Sequence, residues 1–408
     1  MKLQLEIQKY LRLYDDYTKD NHRVLVELEE KHGIIWKTEE DNNGRKYLLL
    51  NYGIFSKPSA FTKECRGLVL DARTLEIVRY GFERFYNYQE ECRDKIDKNK
   101  PIIYEEKSDG SLIFLHHIND LGWNAGTRGK LFANTNVNDY EITFNELFWS
   151  IFGQDNIVKL DRNICYLFEL CAQQNRVVIA HAVPHVVLLG GRNRNNDWQE
   201  LNDDEITMWA NKFNVSASKK FAFKNIKDCF DKTKVLNAKQ EGCVVKQWYE
   251  ENGIKKLKRV KIKSIEYIAL HNIVSAKSLN SLTKIAIANG GEILKDFPEY
   301  VKACDAIKEA IDEFVKNAQE VYDKNKDILF DVGYGDFKKR RKNFAQKVMA
   351  TPYGDVCFSL ADGHIATPIE YLRQKDSNSH IKGVIKRLKL HDVVDKTWTV
   401  VDNVDEDI

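Results

Sequence analysis

The first two thirds of the chain contain short runs in which hydrophobic and polar residues alternate, the period-two pattern of half-buried β-strands. Three groups of turn residues separate several of these runs: Asn42-Asn43-Gly44, Asn119-Asp120 and Asn252-Gly253. Asn and Gly tolerate the positive φ angles of tight hairpins, so each group predicts a pair of antiparallel strands. The predicted strands are 34–38, 46–52, 111–118, 123–127, 166–171, 176–180, 186–189, 242–249 and 255–263, and the helices between them are 4–13, 143–152 and 203–213. This order predicts an α+β fold of antiparallel sheets with flanking helices.

The hydrophobic period changes near residue 272. Beyond it, apolar residues recur every three or four positions, as at Cys304, Ile307 and Ile311, which predicts an amphipathic helix that follows Pro298. Further helices are predicted at 337–349, 368–374 and 381–390. We therefore predict two domains, an α+β domain at 1–272 and an all-helical C-terminal domain at 273–408.

Composition excludes several classes of protein. Of the 408 residues, 43% are hydrophobic and 30% are charged, which is typical of a soluble globular protein. No apolar run is long enough to cross a bilayer and no secretory signal is evident, so we expect a cytoplasmic monomer, or one in the host cytoplasm if the chain is viral. The eight cysteines form no C-x-x-C pair, which favours reduced thiols over a zinc site. His181 and His185 have the spacing of a metal-binding pair on a helix, but Pro184 excludes a regular helix there and favours ordinary histidines.

The net charge is only +2, yet basic residues cluster in two segments. One cluster lies between Lys255 and Lys263. The second is an unbroken run of Lys338, Lys339, Arg340, Arg341 and Lys342. Such clusters are common at phosphate-binding surfaces, although most basic runs on helices are simply solvated.

A candidate nucleophile lies in the sequence Lys107-Ser108-Asp109-Gly110. Taken alone, this segment is equally consistent with a hairpin turn that carries an exposed lysine. Its surroundings favour chemistry, because the segment resembles motif I of the covalent nucleotidyltransferases, the ligases and capping enzymes. The other motifs of that superfamily follow in order: Arg66 in Glu-Cys-Arg-Gly, Arg128 in Thr-Arg-Gly, Glu169 in Phe-Glu-Leu, Glu241-Gly242, and Lys261-Ile262-Lys263. Each of these residues has a structural alternative when taken singly, but their common order favours a catalytic site.

More closely, the sequence is similar to the bacteriophage RNA ligase 1 family. Shared features are Glu-Cys-Arg-Gly at 64–67, Asn175-Arg176 six residues beyond Glu169, and Lys-Ile-Lys-Ser at 261–264. The aromatic run before motif I is present as Arg84-Phe85-Tyr86, where the family has Lys in place of Arg84. A planar guanidinium differs from a compact ammonium, so the contact of Arg84 with pyrophosphate is in question.

The resemblance implies an ATP-dependent RNA ligase whose 1–272 domain has the nucleotidyltransferase fold. AMP would be carried on Lys107 and transferred to an RNA 5′-phosphate, which a 3′-hydroxyl then attacks. The implied ATP- or AMP-binding residues are Arg66, Arg84, Tyr86, Lys107, Gly110, Arg128, Glu169, Glu241, Gly242, Lys261 and Lys263. Glu169 and Glu241 are hard oxygen ligands suited to Mg²⁺ or Mn²⁺. Free lysine has a pKa near 10.4, and we expect Lys261, Lys263 and the metal to disfavour the charged form of Lys107.

Two other functions compete with RNA ligation. DNA ligases and mRNA capping enzymes carry a small β-barrel after motif V, whereas this chain becomes helical. A non-catalytic RNA-binding protein would not need the nucleophilic lysine, both motif V lysines and both acids. The helical region also resembles the RNA ligase 1 family over Arg341-Lys342-x-Phe344-Ala345, which implies tRNA recognition, and nicked tRNA is therefore a candidate substrate for repair.

Overall fold

The computed structural model describes residues 3–13, 23–53, 56–138, 140–237, 239–251, 253–276, 279–287, 294, 298–373 and 378–394. Two compact units make up the chain, Met1–Tyr267 and Ile268–Ile408. The division lies a few residues before the predicted boundary at 272, inside a helix that runs from Ile265 to Ala276. Within the predicted turn Asn252-Gly253, Asn252 lies outside the described residues.

The first unit is built from β-strands with interleaved helices. Its strands are β1 (Ile34–Glu40), β2 (Lys46–Tyr52), β3 (Arg66–Asp71), β4 (Ile77–Arg79), β5 (Tyr86–Asn87), β6 (Ile103–Lys107), β7 (Ser111–Ile118), β8 (Gly122–Thr127), β9 (Ile164–Cys171), β10 (His185–Asn193), β11 (Gln199–Glu200), β12 (Ser216–Ala217), β13 (Gly242–Glu251) and β14 (Ile254–Lys263). Its helices are α1 (Glu6–Leu11), α2 (Arg23–His32), α3 (Ala60–Glu64), α4 (Phe144–Phe152), α5 (Asp203–Phe213) and α6 (Ile226–Lys234). The helix α7 (Ile265–Ala276) begins in this unit and continues into the second. The predicted α+β class is confirmed.

The strands form three sheets. The first has the order β1-β2-β3-β4, the second β11-β10-β9-β7-β8 with β12 beside β10, and the third β5-β14-β13-β6. Pairing is antiparallel except between β10 and β12 and between β14 and β5. Strands β6 and β7 belong to different sheets, so the segment 108–110 between them passes from the third sheet to the second. This segment is not the hairpin turn that the sequence allowed.

Helices cover one face of the second and third sheets. Aromatic residues of α4 and α5 pack against the second sheet, with Phe148, Phe152 and Phe213 around Phe168. Residues of α6 pack with Cys243, Val245, Val260 and Ile262 of the third sheet. Because side chains alternate between the faces of a strand, the other face of the third sheet carries the residues in between.

One predicted strand, 176–180, does not form. The side chain of Asp109 accepts hydrogen bonds from the backbone nitrogens of Val178 (2.9 Å) and Ile179 (2.6 Å). A carboxylate therefore binds backbone donors that a neighbouring strand would otherwise bind. Residues 172–184 form an irregular connection between β9 and β10.

The second unit is helical in the residues described. Its helices are α8 (Leu279–Ile287), α9 (Pro298–Asn325), α10 (Asp327–Phe330), α11 (Phe337–Val348), α12 (Gly354–Ala361), α13 (Pro368–Arg373), α14 (Asn378–Leu388) and α15 (Leu390–Val393). The apolar face of α9 is buried at Cys304, Ile307 and Ile311, as its period predicts. The predicted helix at 381–390 is divided because Lys389 adopts a left-handed conformation, with φ 51°. None of the helices in the described part of the chain combines the length and apolar character of a membrane-spanning segment.

We predict that Gly110→Ala destabilises the first unit strongly. A Cβ atom at Gly110 would lie 2.3 Å from the backbone oxygen of Leu170 on β9, so the segment between β6 and β7 would have to move. The matched control is Gly129→Ala, whose Cβ would meet no atom within 4 Å. Urea unfolding should show a loss of about 2 kcal/mol or more for Gly110→Ala and about 0.5 kcal/mol or less for Gly129→Ala. Equal losses would show that the close approach at Gly110 is not important.

Candidate active site

The open face of the third sheet carries a row of charged residues. Lys107 of β6, Gly242 of β13 and Lys263 of β14 lie side by side in register. Glu105, Val244 and Lys261 form the next in-register row on the same face. A Cβ atom at residue 242 would lie 2.0 Å from the Ile262 carbonyl oxygen. Glycine thus allows the beginning of β13 to lie this close to the backbone of β14, which carries Lys263.

The first and second sheets complete the site. Glu169 projects from β9, Arg66 begins β3, and Arg128 follows β8. These residues line a cavity of about 240 Å³ together with Tyr52 and the charged face of the third sheet. The lining residues named as candidates from sequence are Arg66, Lys107, Arg128, Glu169, Lys261 and Lys263.

Glu241 holds the two lysines at the head of this face. Its carboxylate is only 3% exposed, and its Oε1 lies 2.7 Å from Lys107 Nζ and 3.0 Å from Lys263 Nζ. Burial lowers the pKa of Lys107, but the negative charges of Glu241 and Glu169 outweigh burial, so the pKa is raised overall. The expectation that neighbouring cations would lower the pKa of Lys107 is therefore wrong for the protein's own residues. Lys107 is also not an exposed turn lysine, since its side chain is 23% exposed and ion-paired.

The pKa of Lys261, rather than that of Lys107, is lowered. Burial is the largest cause, and the positive charges of Lys263 and Lys107 add to it, which lowers the pKa of Lys261 to about 8. No carboxylate of the described residues lies within ion-pair distance of Lys261. Near neutral pH this side chain is a concentrated positive charge with little internal compensation, which suits contact with a phosphate.

Glu169 is the second acid of the site. Burial is the main reason that its pKa is raised to about 7, and the nearby charge of Glu241 raises it further, while Lys107 and Arg66 oppose the shift. A buried carboxylate whose ionisation is opposed by burial and by a second carboxylate nearby fits a site for a divalent cation, because the cation would neutralise both. Asp109 does not belong to this set, since Val178, Ile179 and Tyr267 already bind its two side-chain oxygens.

The two arginines lie near Tyr52 and Phe85. Arg128 donates a hydrogen bond to the Tyr52 hydroxyl at 3.2 Å, and the Arg66 guanidinium lies 5.4 Å from the centre of the Phe85 ring. Burial lowers the pKa of Arg66. Among the residues that the structure describes, Nη1 of Arg66 is buried without a hydrogen-bond partner. An unsatisfied buried donor on a guanidinium is costly unless an anion binds it.

Some candidates do not line this cavity. The Arg84 guanidinium is held between the rings of Tyr52 (4.1 Å) and Tyr86 (4.9 Å) and donates to Ser56 Oγ at 2.8 Å. Gly110 packs against the backbone of β9, as described above. Glu241 lines an adjoining cavity of about 400 Å³ that also includes Lys107. The nucleotide contacts of all the candidate residues stay predictions, and those of Arg84, Tyr86, Gly110 and Gly242 have no support from the lining of this cavity.

The sequence reasoning missed a buried charge network below the cavity. Lys246 pairs with Glu105, and Arg259, which lies opposite Lys246 in the sheet, pairs with Glu200. Glu200 also lies 3.0 Å from Arg192 Nη2. Lys246 and Arg259 line the cavity. Arg259, Lys261 and Lys263 are alternate residues of β14, so their side chains lie on the same face of the strand, and this spacing could have identified Arg259 from the sequence.

The basic run of the helical unit lies at the beginning of α11. Arg341 forms a two-pronged ion pair with Asp362 (2.6 and 2.8 Å), and Arg340 donates to the Leu329 carbonyl at 3.0 Å. Lys338, Lys339 and Lys342 are exposed. The run therefore divides into two arginines bound within the unit and three lysines that face solvent.

The arrangement can be compared with known proteins. Residues 64–267, half of the chain, match the model of a family described as RNA ligase, of the T4 RNA ligase 1 type. The chain belongs to this RNA ligase family. The matched segment includes each of the candidate nucleotide-site residues.

Two curated relatives of this chain come from viruses. A putative bifunctional polynucleotide kinase/RNA ligase of Autographa californica nuclear polyhedrosis virus is 28% identical over 59% of this chain and 36% of its own length. An RNA ligase of Rhodothermus phage RM378 is 26% identical over 42% of this chain and 46% of its own length. The chain thus spans between a third and a half of these relatives. Among solved structures, an archaeal ATP-dependent RNA ligase is similar with a TM-score of 0.43 and 15% identity, over 80% of this chain and 86% of that one.

We predict that Glu169→Gln removes a pH dependence from the stability of the first unit. The pKa of Glu169 is raised from 4.5 in the unfolded chain to about 7. Between these values the folded protein keeps a proton that the unfolded chain has released, so the wild type loses stability as the pH rises from about 4.5 to 7, by an amount on the order of 3 kcal/mol. Urea unfolding between pH 5 and 8 should show a smaller loss in Glu169→Gln. The control Glu250→Gln, at an exposed carboxylate, should keep the wild-type dependence. An unchanged profile in Glu169→Gln would contradict the assignment.

Proposed function

We propose that this protein is an ATP-dependent RNA ligase that carries AMP on Lys107. The observation that supports the proposal most directly is the position of Lys107. Its Nζ lies beside a buried carboxylate and a second lysine, on the wall of a cavity that Arg66, Arg128 and Arg259 also line. The cavity combines a nucleophile, cations for phosphates and acids for a metal, which is the set that nucleotidyl transfer requires.

In the first step, Lys107 Nζ forms a bond to the α-phosphorus of ATP, and the bond from that phosphorus to the pyrophosphate oxygen breaks. Lys107 must lose its proton before it attacks. Its ammonium group is hydrogen-bonded to Glu241, which provides a route for the departing proton. Glu169 and Glu241 would hold Mg²⁺, which when bound neutralises phosphate charge and compensates the two carboxylates. Lys261 and Lys263 lie on one face of β14, where they can stabilise the charge that develops on pyrophosphate.

In the later steps, the phosphorus–nitrogen bond to Lys107 breaks as the RNA 5′-phosphate takes the AMP. The 3′-hydroxyl of the other RNA end then attacks that phosphate and AMP leaves. The unpartnered Nη1 of Arg66 and the guanidinium of Arg128 at the Tyr52 hydroxyl are suited to bind these phosphates. Arg66 is therefore proposed to act in all three steps.

The substrate proposed is RNA with a 5′-phosphate and a 3′-hydroxyl, and nicked tRNA is the candidate in a repair reaction. We propose that the helical unit contributes to RNA binding through the exposed lysines of α11. DNA joining and mRNA capping are the alternatives within the superfamily. Activity assays with labelled RNA ends, labelled DNA ends and a labelled transcript that ends in a diphosphate distinguish RNA joining from these two alternatives.

We predict that Lys107→Ala abolishes self-adenylylation. Incubation with Mg²⁺ and ATP labelled in the α-phosphate should transfer label to the denatured wild-type chain but not to the variant. The matched control is Lys256→Ala on β14, whose lysine pairs with Glu251 and does not line the cavity. It should label as the wild type does. Circular dichroism should show that both variants are folded. Label mapped to another residue, or retained in Lys107→Ala, would contradict the proposal.

We predict that replacing Lys338, Lys339 and Lys342 together by Ala weakens RNA binding in a salt-dependent manner. Each lost phosphate contact removes about 0.7 from the slope of log affinity against log salt for a single strand, so three lost contacts reduce it by about 2. The control replaces three lysines of α9, Lys302, Lys316 and Lys324. Titration of a labelled RNA at several salt concentrations measures both slopes. Equal slopes would show that α11 does not bind RNA, without bearing on adenylylation at Lys107.

A further inference from the structure

A second cluster of side chains lies on the other side of the Lys107 segment. Cys171 is the last residue of β9 and His185 is the first residue of β10, and the two are directly paired across these antiparallel strands. His181 lies in the connection between the strands, with its ring centre 5.3 Å from that of His185. One possible ligand atom from each of the three residues lies within 4.8 Å of the others.

The hydrogen bonds of the two histidines determine which ring nitrogen is available. A carbonyl oxygen can only accept, so His181 Nε2, which lies 2.6 Å from the Asp109 carbonyl oxygen, carries a proton. By the same reasoning, His185 Nδ1 carries a proton for the Val183 carbonyl oxygen at 2.9 Å. A histidine that binds a metal is neutral, and the remaining nitrogen of each ring would then offer its lone pair to the ion. Backbone carbonyls that fix the tautomer in this way are the usual outer partners of metal-binding histidines.

We propose that Cys171, His181 and His185 form a binding site for Zn²⁺, distinct from the magnesium site of the nucleotide cavity. One thiolate and two imidazoles are the ligand types that zinc prefers, and soft sulfur disfavours Mg²⁺. Tetrahedral zinc with bonds of about 2.0–2.3 Å brings its ligand atoms to roughly 3.5 Å from each other. Because the ligand atoms lie within 4.8 Å of one another, the side chains would have to rotate to bring them to this distance.

The cluster faces a cavity of about 400 Å³ that also contains Ser108, Lys107 and Glu241. Water in this cavity can take the fourth position on the metal. The proposed ion joins the end of β9 to the start of β10 and restrains the irregular residues 172–184 between them. Since His181 also binds the Asp109 carbonyl, the same ion restrains the segment that carries Lys107. The role proposed is structural, and the site residues are positioning residues for Lys107.

The experiment uses the reduced full-length protein, without ATP or RNA, and Co²⁺ as a spectroscopic probe for zinc. Co²⁺ bound by a thiolate gives a ligand-to-metal charge-transfer absorption in the near ultraviolet that Co²⁺ bound by oxygen and nitrogen lacks. We expect the wild type to show this absorption at one equivalent of Co²⁺ and to lose it when Zn²⁺ is added. Cys171→Ser should lack the absorption, and His185→Ala should bind at least about tenfold more weakly, because loss of even an outer partner costs that much.

Matched controls separate metal binding from misfolding. Cys165→Ser changes another buried cysteine of β9, and His117→Ala changes a histidine of β7 outside the cluster. Both should keep the charge-transfer absorption. His185 is exposed, so His185→Ala is expected to fold, and Zn²⁺ should raise the melting temperature of the wild type but not of this variant. Absence of the absorption in the wild type, or an equal absorption in Cys171→Ser, would overturn the proposal. Neither outcome depends on ligase activity.

Discussion

The site depends on the ion pairs that the carboxylate of Glu241 forms. This carboxylate is almost fully buried, lies immediately before β13, and accepts from both Lys107 and Lys263, which come from the two strands that flank β13. An unpaired carboxylate in this position would be very costly, and two lysines without it would repel each other. The ion triad therefore holds three strands of the third sheet in one arrangement. It also holds the proposed nucleophile as a protonated amine until the charges around it change.

The third sheet separates two environments by the alternation of its side chains. One face is apolar and packs beneath α6, where Cys243, Val245, Val260 and Ile262 are fully buried. The other carries the lysines, together with Glu105 and Arg259. Buried charges are tolerated there because they are paired, as Lys246 is with Glu105. This charged face presents Lys261 as the lysine with the lowered pKa, an arrangement that suits the proposed binding of phosphates.

Asp109 shows how a motif residue can act through structure. Its side chain binds the backbone of Val178 and Ile179 and the hydroxyl of Tyr267, which lies at the beginning of α7. Asn175 bonds to Ser111 Oγ and to the carbonyl of Leu170 in the same region. The short segment after Lys107 is thereby anchored on several sides. This anchoring explains why the connection 172–184, which also supplies the proposed zinc ligand His181, is irregular.

Local patterns determined much of this protein before any contact was known. Alternation placed most of the strands, and the period of α9 placed the core of the helical unit, because side-chain direction repeats with backbone geometry. The position of Lys261 and Lys263 on one face follows from the same rule. The motifs also predicted Lys107, Glu169 and Glu241 as site residues, and these three lie close together in the structure.

Only the tertiary structure decided which partners those residues have. Burial and ion pairing depend on residues distant in sequence, so the raised pKa of Lys107 and the lowered pKa of Lys261 could not be derived from spacing. The failed strand at 176–180 depended on the side chain of Asp109, about seventy residues earlier. Cys171 and His185 likewise become neighbours through strand register, and His181 joins them from the connection between the strands. Chemistry that needs one residue can be predicted from a motif, whereas chemistry that needs several depends on long-range packing.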